Sequence, residues 1–196
     1  QKLNQIDTQV DRITRLVDSL LLMVELESGS TLNRTEVDIN ALLDVVCQKM
    51  QATYGAKPML HRKGLTDLPI LTGDEDHLIN AFVQLLENAY RFTPPEGTIT
   101  LRTDILDDAL FIEVSDTGVG IAPDVLPHVF ETFWRDDEAH TTPGFGLGLP
   151  IAQKIIEQHD GQIMIDSKTG KGTQVRVLLP LSSVYSSVTA TDSPPV

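Results

Sequence analysis

Apolar residues follow two rhythms along the chain, and the change between them divides it. Over residues 1–28 they recur in steps of four and three, at Ile6, Val10, Ile13, Val17, Leu20 and Val24. This a/d spacing predicts one long helix with a coiled-coil-type seam. Leu16, Leu21, Leu22, Met23 and Leu26 widen its apolar surface beyond a two-helix stripe. One helix cannot bury that much alone. A second copy of the chain, a segment from outside this sequence, or docking on the helix's own domain would each supply the cover. Gly29 is a suitable stop, and residues 28–31 read as a hinge.

Past the hinge, strand and helix patterns alternate. Residues 32–37 alternate weakly, as an edge strand does. Asp38 can cap a helix running to about Tyr54, with Ile39, Leu42, Leu43, Val46 and Met50 on one face. Residues 55–71 are interrupted by Gly and Pro and hold two short strand candidates, 59–62 and 68–71. Asp74 can cap a second helix to about Phe92, with Leu78, Ile79, Phe82, Leu85, Leu86 and Ala89 as its core face. Residues 98–103 and 110–115 read as a hairpin. A short helix entered through Pro123 is expected over 122–133, followed by a polar, lid-like connector over 134–143. A helical pattern over 151–159 precedes two more strands, 162–167 and 173–179, joined by the Gly-rich turn 169–172. Residues 182–196 are rich in Ser, Thr and Pro and read as a disordered tail. The expected organisation is a helix over 1–29, an α+β domain over 30–181 and the tail.

Composition narrows the function classes. The 196 residues carry a net charge of -13, which disfavours nucleic acid and anionic membrane as partners. Hydrophobic content of 41% supports a real core. The one cysteine, Cys47, cannot form an internal disulfide and fits a reducing compartment. No apolar run reaches membrane-spanning length and no signal peptide is visible, so a cytoplasmic location is expected, either for the whole protein or as the cytoplasmic part of a membrane-bound one. The sequence begins at Gln without Met, as a fragment would.

Three stretches carry chemistry. In Thr141-Thr142-Pro143-Gly144-Phe145-Gly146-Leu147-Gly148-Leu149-Pro150, glycines alternate just before a helix. Such a loop aims free N–H groups at one point, where the helix dipole favours negative charge. It is either a phosphate cradle or a surface loop before a capped helix. Gln84, Asn88 and Arg91 recur at steps of four and three, so they share a helix face. Asn88 offers a carbonyl oxygen to a hard cation and Arg91 a fixed charge to a phosphate, unless the face is merely solvated. The expected strand 110–115 runs into Asp116-Thr117-Gly118-Val119-Gly120-Ile121. There a buried carboxylate can accept from an amino group, or simply start a turn. Arg135, at the start of the connector, can reach a phosphate.

The order of these pieces resembles the catalytic domain of sensor histidine kinases of two-component systems, within the ATPase group that also holds DNA gyrase, Hsp90 and MutL. The matching pieces are Gln84-Leu85-Leu86-Glu87-Asn88-Ala89-Tyr90-Arg91-Phe92-Thr93, the Asp116 stretch, Phe130-Glu131-Thr132-Phe133-Trp134-Arg135, the run Gly144 to Leu149, and a Gly-x-Gly-Thr hairpin ending at Thr173. The leading helix resembles the second dimerisation helix of the same kinases. The resemblance implies a two-layer α/β sandwich with a mixed sheet backed by three helices. It implies that Asn88 holds Mg²⁺ bridging the phosphates of ATP, that Arg91 touches phosphate and that Phe92 packs on adenine. Asp116 would receive the adenine amine, with Gly118 and Gly120 lining that pocket and Thr173 completing it. Gly144, Gly146, Leu147, Gly148 and Leu149 would offer backbone to the phosphates, and Arg135 would assist γ-phosphate transfer. The implied partners are a response regulator and a second copy of the chain.

Two departures shape the expectation. Where the gyrase and Hsp90 branch places a glutamate base, one turn before the metal asparagine, this chain has Gln84. An amide cannot take a proton from water, so simple hydrolysis is disfavoured. None of His61, His77, His128, His140 and His159 sits in a His-Glu pair on a helix. The phosphoacceptor helix is therefore expected elsewhere, and His159 is expected to be structural. An anti-sigma-type serine kinase and a non-catalytic ATP-sensing module share these boxes and stand as the alternatives.

Overall fold

The computed structural model describes residues 2–29, 31–135 and 144–181. The expected tail and most of the expected lid, including Thr141 to Pro143, lie outside the described residues. The elements are α1 (Lys2–Glu27), β1 (Thr35–Asp38), α2 (Ile39–Tyr54), β2 (Met59–Gly64), β3 (Ile70–Gly73), α3 (Glu75–Phe92), β4 (Thr98–Leu106), β5 (Ala109–Asp116), α4 (Gly148–Gln158), β6 (Gln162–Lys168) and β7 (Gly172–Pro180). β1 and β3 form a small antiparallel pair. The main sheet has the order β2-β4-β5-β7-β6, with β2 parallel to β4 and every other pair antiparallel. Alternate residues of its strands, among them Ile99, Leu101, Leu110, Ile112, Val114, Val175, Val177 and Leu179, are buried in one core with α2, α3 and α4. The expected two-layer sandwich, a mixed sheet backed by three helices, is the one that forms.

Both predicted N-caps are present. The Asp38 carboxylate accepts from the N–H groups of Asn40 and Ala41, and that of Asp74 from His77. Each satisfies donors that the first helical turn leaves without partners. Three expectations are corrected. The strand expected at 68–71 lies at Ile70–Gly73, displaced by its pairing with β1. Over 122–133 the described backbone holds only a 3₁₀ turn, Leu126–His128. Pro127 removes an N–H inside that stretch, and Phe133 turns to a φ of 65°. Helix α4 starts at Gly148 rather than Ile151, because Pro150 is tolerated within a first turn.

The long helix divides its apolar surface. Leu26 is 1% exposed and belongs to the core, while Leu16, Leu20, Leu22 and Met23 pack partly against it. Gln158 of α4 donates to the Leu26 carbonyl at 2.8 Å. The seam positions Val10, Ile13, Val17 and Val24 stay between 46% and 63% exposed. One side of the helix end thus docks on its own domain, and these four seam positions remain open. Among the described residues no helix is long and apolar enough to cross a membrane.

The antiparallel pair α3 and α4 is pinned at one end by His159. Its Nε2 accepts the Asp74 N–H at 2.9 Å and its Nδ1 donates to the Ile155 carbonyl at 2.7 Å. Accepting at Nε2 requires the neutral ring, whereas the Nδ1 bond can be made in either state, and the structural role expected for His159 is the one observed. Burial holds this imidazole below its ordinary value of 6.5, opposed first by its bond to the Ile155 carbonyl and then by Asp74, while Arg34 and His77 nearby act in the same direction as burial. Burial alone would raise the Asp74 carboxyl, but the N–H groups of His77 and Asn33 bring it below its usual value.

Two outcomes are expected. Leu26→Ala should lower the free energy of unfolding in urea by about 2–4 kcal/mol, whereas Leu106→Ala, at a residue 47% exposed, should change it by less than about 1 kcal/mol. The unfolded chain binds a proton on His159 more readily than the folded chain, so stability falls as pH drops below 6.5. Denaturation at stepped pH should show that fall in the parent chain and a flatter curve in His159→Gln.

Candidate functional site

At the opposite end of the pair from His159, α3 and α4 bring two predicted stretches together. Helix α3 carries Gln84, Asn88 and Arg91 on one face. Helix α4 opens at Gly148, where no side chain caps the turn. Its first helical bond runs from the Ile151 N–H to the Leu147 carbonyl at 3.0 Å. By helix geometry the N–H groups of Gly148 and Leu149 have no partner within the helix, and Pro150 has no N–H. A Cβ on Gly148 would stand 2.7 Å from Gln84 Oε1 and 3.6 Å from the Asn88 amide nitrogen. At Gly144 the same position is occupied by the Arg91 guanidinium. The amide stripe, the cation and the free helix N-terminus therefore face one another. That combination attracts an anion and leaves room for it only because glycines stand in the loop.

The loop is braced from outside. The Phe133 N–H donates to the Gly146 carbonyl at 3.0 Å, and a Cβ on Gly146 would strike the Phe133 and Trp134 backbone. Leu147 is buried in the core, which anchors the loop before the helix starts. Arg135, half-buried, is the last described residue before Gly144.

Asp116 lies at the end of β5, beyond Phe92 and the C-terminus of α3. Its Oδ1 accepts from the Gly118 N–H at 2.7 Å and the Thr173 N–H at 3.3 Å. Burial raises its carboxyl above the ordinary 3.8, and these two donors offset part of that rise. Gly118 lies so close to α3 that a Cβ would collide with the Phe92 carbonyl, which also accepts from the Val119 N–H at 3.2 Å. The space a side chain would fill at Gly120 is taken by the Lys168 carbonyl of β6. Gly172, at a φ of 94°, passes against the Asp116 carbonyl where no Cβ fits. The Phe92 ring is 38% exposed at this end. One carboxylate is thus half-buried in a wall of backbone, with Oδ2 left to accept from an incoming donor.

Sequence reasoning missed two contributors. Asn80 extends the α3 stripe by one turn, its Oδ1 lying 3.4 Å from Gln84 Nε2. Continuing the i, i+4 spacing backwards would have found it. Ser167 touches Ile121, Gly172 and Thr173 together. Counting back across the 169–172 turn places it opposite Thr173, but nothing in its residue type signals a role. Among the described residues no group of three or more His, Cys, Asp or Glu side chains could hold a metal ion.

The family model for histidine kinase-, DNA gyrase B-, and HSP90-like ATPases matches residues 73–183. The adaptive-response sensory kinase SasA of Synechococcus elongatus is 32% identical over 182 residues, covering 91% of this chain and 47% of SasA. The sensor histidine kinase TrcS of Mycobacterium tuberculosis is 34% identical over 197 residues, covering 96% of this chain and 38% of TrcS. The crystal structure of full-length ShkA in complex with AMPPNP superposes with a TM-score of 0.77 at 27% identity, covering 95% of this chain and 38% of that one. The chain therefore spans less than half the length of these relatives.

A half-buried carboxylate whose value is raised destabilises the folded chain at neutral pH, because the folded form binds its proton more readily. Asp116→Asn keeps an oxygen for the Gly118 and Thr173 donors and removes the charge. Its thermal midpoint without ligand at pH 7 should equal or exceed that of the parent, by calorimetry.

Proposed function

The chain belongs to the histidine kinase-, DNA gyrase B- and HSP90-like ATPase family, and from that premise we propose that it is the ATP-binding catalytic part of a sensor protein-histidine kinase. The observation that carries this reading is the meeting of Asn88, Arg91 and the α4 N-terminus in one place, with the raised carboxylate of Asp116 past Phe92. A triphosphate fits the first group and an amino-bearing base fits the second.

In this reading the adenine amine donates to Asp116, with Thr173 beside it and Phe92 packing on the ring. Gly118 and Gly120 keep the loop close enough to shape that end. Arg91 and the backbone of Gly144, Gly146, Leu147, Gly148 and Leu149 receive the phosphates. Mg²⁺ fits only as an ion that arrives with the nucleotide, since no protein cluster among the described residues would hold it alone. Asn88 would supply one carboxamide oxygen, with phosphate oxygens and water as the remaining ligands, and the ion would neutralise charge on the phosphates. Arg135 would meet the γ-phosphate from the connector. Gln84 cannot act as a base toward water, so the γ-phosphate is kept for transfer rather than hydrolysis. Positioning and charge neutralisation do most of the work in phosphoryl transfer. The acceptor would be a histidine on another segment, and a response-regulator aspartate would take the group next. The exposed seam positions Val10, Ile13, Val17 and Val24 of α1 support a homodimer through that helix.

Titration with a fluorescent ATP analogue, with and without Mg²⁺, tests the assignment. Asp116→Ala should weaken binding by at least about a hundredfold in both conditions, because a buried site built around one polar contact rejects what cannot make it. Asn88→Ala should remove the Mg²⁺-dependent part of the affinity. Undiminished binding in both variants would overturn the reading.

A further inference from the structure

The Asp116 end of the pocket is tied together by a side chain to which the roles above give no part. Ser167 stands on β6 opposite Thr173 of β7. Its Oγ lies 2.8 Å from the Ile121 nitrogen, 2.9 Å from the Gly172 carbonyl oxygen and 2.9 Å from Thr173 Oγ1. A hydroxyl has one proton and two lone pairs. The Ile121 N–H can only donate and the Gly172 carbonyl can only accept. Ser167 therefore receives from the first and gives its own proton to the second. Only a lone pair then remains for Thr173, so the Thr173 hydroxyl must be the donor in that contact. Thr173 Oγ1, its proton committed, offers only lone pairs to anything else. Beside it, Asp116 Oδ1 is occupied by the N–H groups of Gly118 and of Thr173 itself. Both side chains at this end present acceptors.

We infer that Ser167 is a specificity-determining positioning residue, which holds the Thr173 hydroxyl as an acceptor beside Asp116 and so selects a nucleobase edge bearing an amino group over one bearing a carbonyl. The inference rests on the ATP-binding reading of the site. Adenine carries an amino donor where guanine carries a carbonyl acceptor. Against two fixed acceptors the carbonyl would bury lone pair against lone pair, whereas the amino group has a partner. A free Thr173 hydroxyl could rotate its proton toward the carbonyl and relieve part of that mismatch. Ser167 closes this route. Through Ile121 it also joins the far end of the Asp116 loop to the β6–β7 hairpin, so the carboxylate and Thr173 stay in register.

The test measures dissociation constants of ATP and GTP, each with Mg²⁺, on the full 196-residue chain by calorimetry. In Ser167→Ala, ATP binding should weaken about tenfold and GTP binding should hold or tighten, so the preference for ATP falls about tenfold or more. Ser167→Thr keeps the hydroxyl and should keep the preference within about threefold of the parent. Melting curves report whether each variant is folded. Ser167→Cys, close in volume but a weak acceptor, carries the same expectation should the alanine variant fail to fold. Equal weakening of both nucleotides with the preference unchanged would overturn the role of Ser167 and leave the pocket standing. A parent chain with no preference for ATP would overturn the pocket assignment itself.

Discussion

The antiparallel contact between α3 and α4 is the constraint on which the rest of the molecule depends. Leu78, Phe82, Leu86, Ile151, Ala152 and Ile155 are each fully buried in the core that these helices share. That packing sets how far one helix can slide along the other. At one end it is pinned by the Asp74 N–H on His159. At the other it decides that Gln84 and Asn88 meet Gly148, where α4 presents its unpartnered N–H groups. A rise of about 1.5 Å per residue means that a one-residue slip would move the asparagine off the helix terminus. The end of the site proposed for phosphate is thus positioned by apolar burial, which has no chemistry of its own.

A net charge of -13 makes this chain a poor host for a polyanion at long range. The site answers locally. Arg91 is placed where the loop glycine at 144 leaves room for its guanidinium. The helix terminus adds partial positive charge over a short distance. Neither acts far through salt solution, so the proposed pocket would attract phosphate only at close range, and a divalent ion bound to the nucleotide would complete the neutralisation.

The end proposed to read the base works differently. Burial of Asp116 disfavours the charged form of its carboxyl, which opposes folding at neutral pH, and the Gly118 and Thr173 N–H groups offset only part of that cost. Close approach of Gly118 to Phe92 and of Gly172 to Asp116 seals this corner with backbone. Ser167 spends its full hydrogen-bonding capacity inside the protein and so governs what Thr173 has left to offer. In the proposed pocket, selectivity would come from exhausted donors as much as from present acceptors.

Much of this was legible in the residues alone, because local periodicity and caps are local physics. The caps at Asp38 and Asp74, the core face of α3, both hairpins and the identity of the stripe residues follow from spacing and side-chain type. The order of boxes pointed to ATP before any geometry. Other features escaped the residues alone. Two prolines and a left-handed Phe133 break the stretch expected to be a helix between 122 and 133. The start of α4 moved into the glycine motif because Pro150 tolerates a first turn. The two faces of α1 could be separated only by packing, which buries Leu26 and leaves Val10, Ile13, Val17 and Val24 open. The sequence by itself determined which side chains could bind a phosphate or read an amine. Only the tertiary structure decided that residues 88 and 148 meet, and that 116, 167 and 173 do, because such contacts depend on helix register and strand pairing across dozens of residues, which no local pattern encodes.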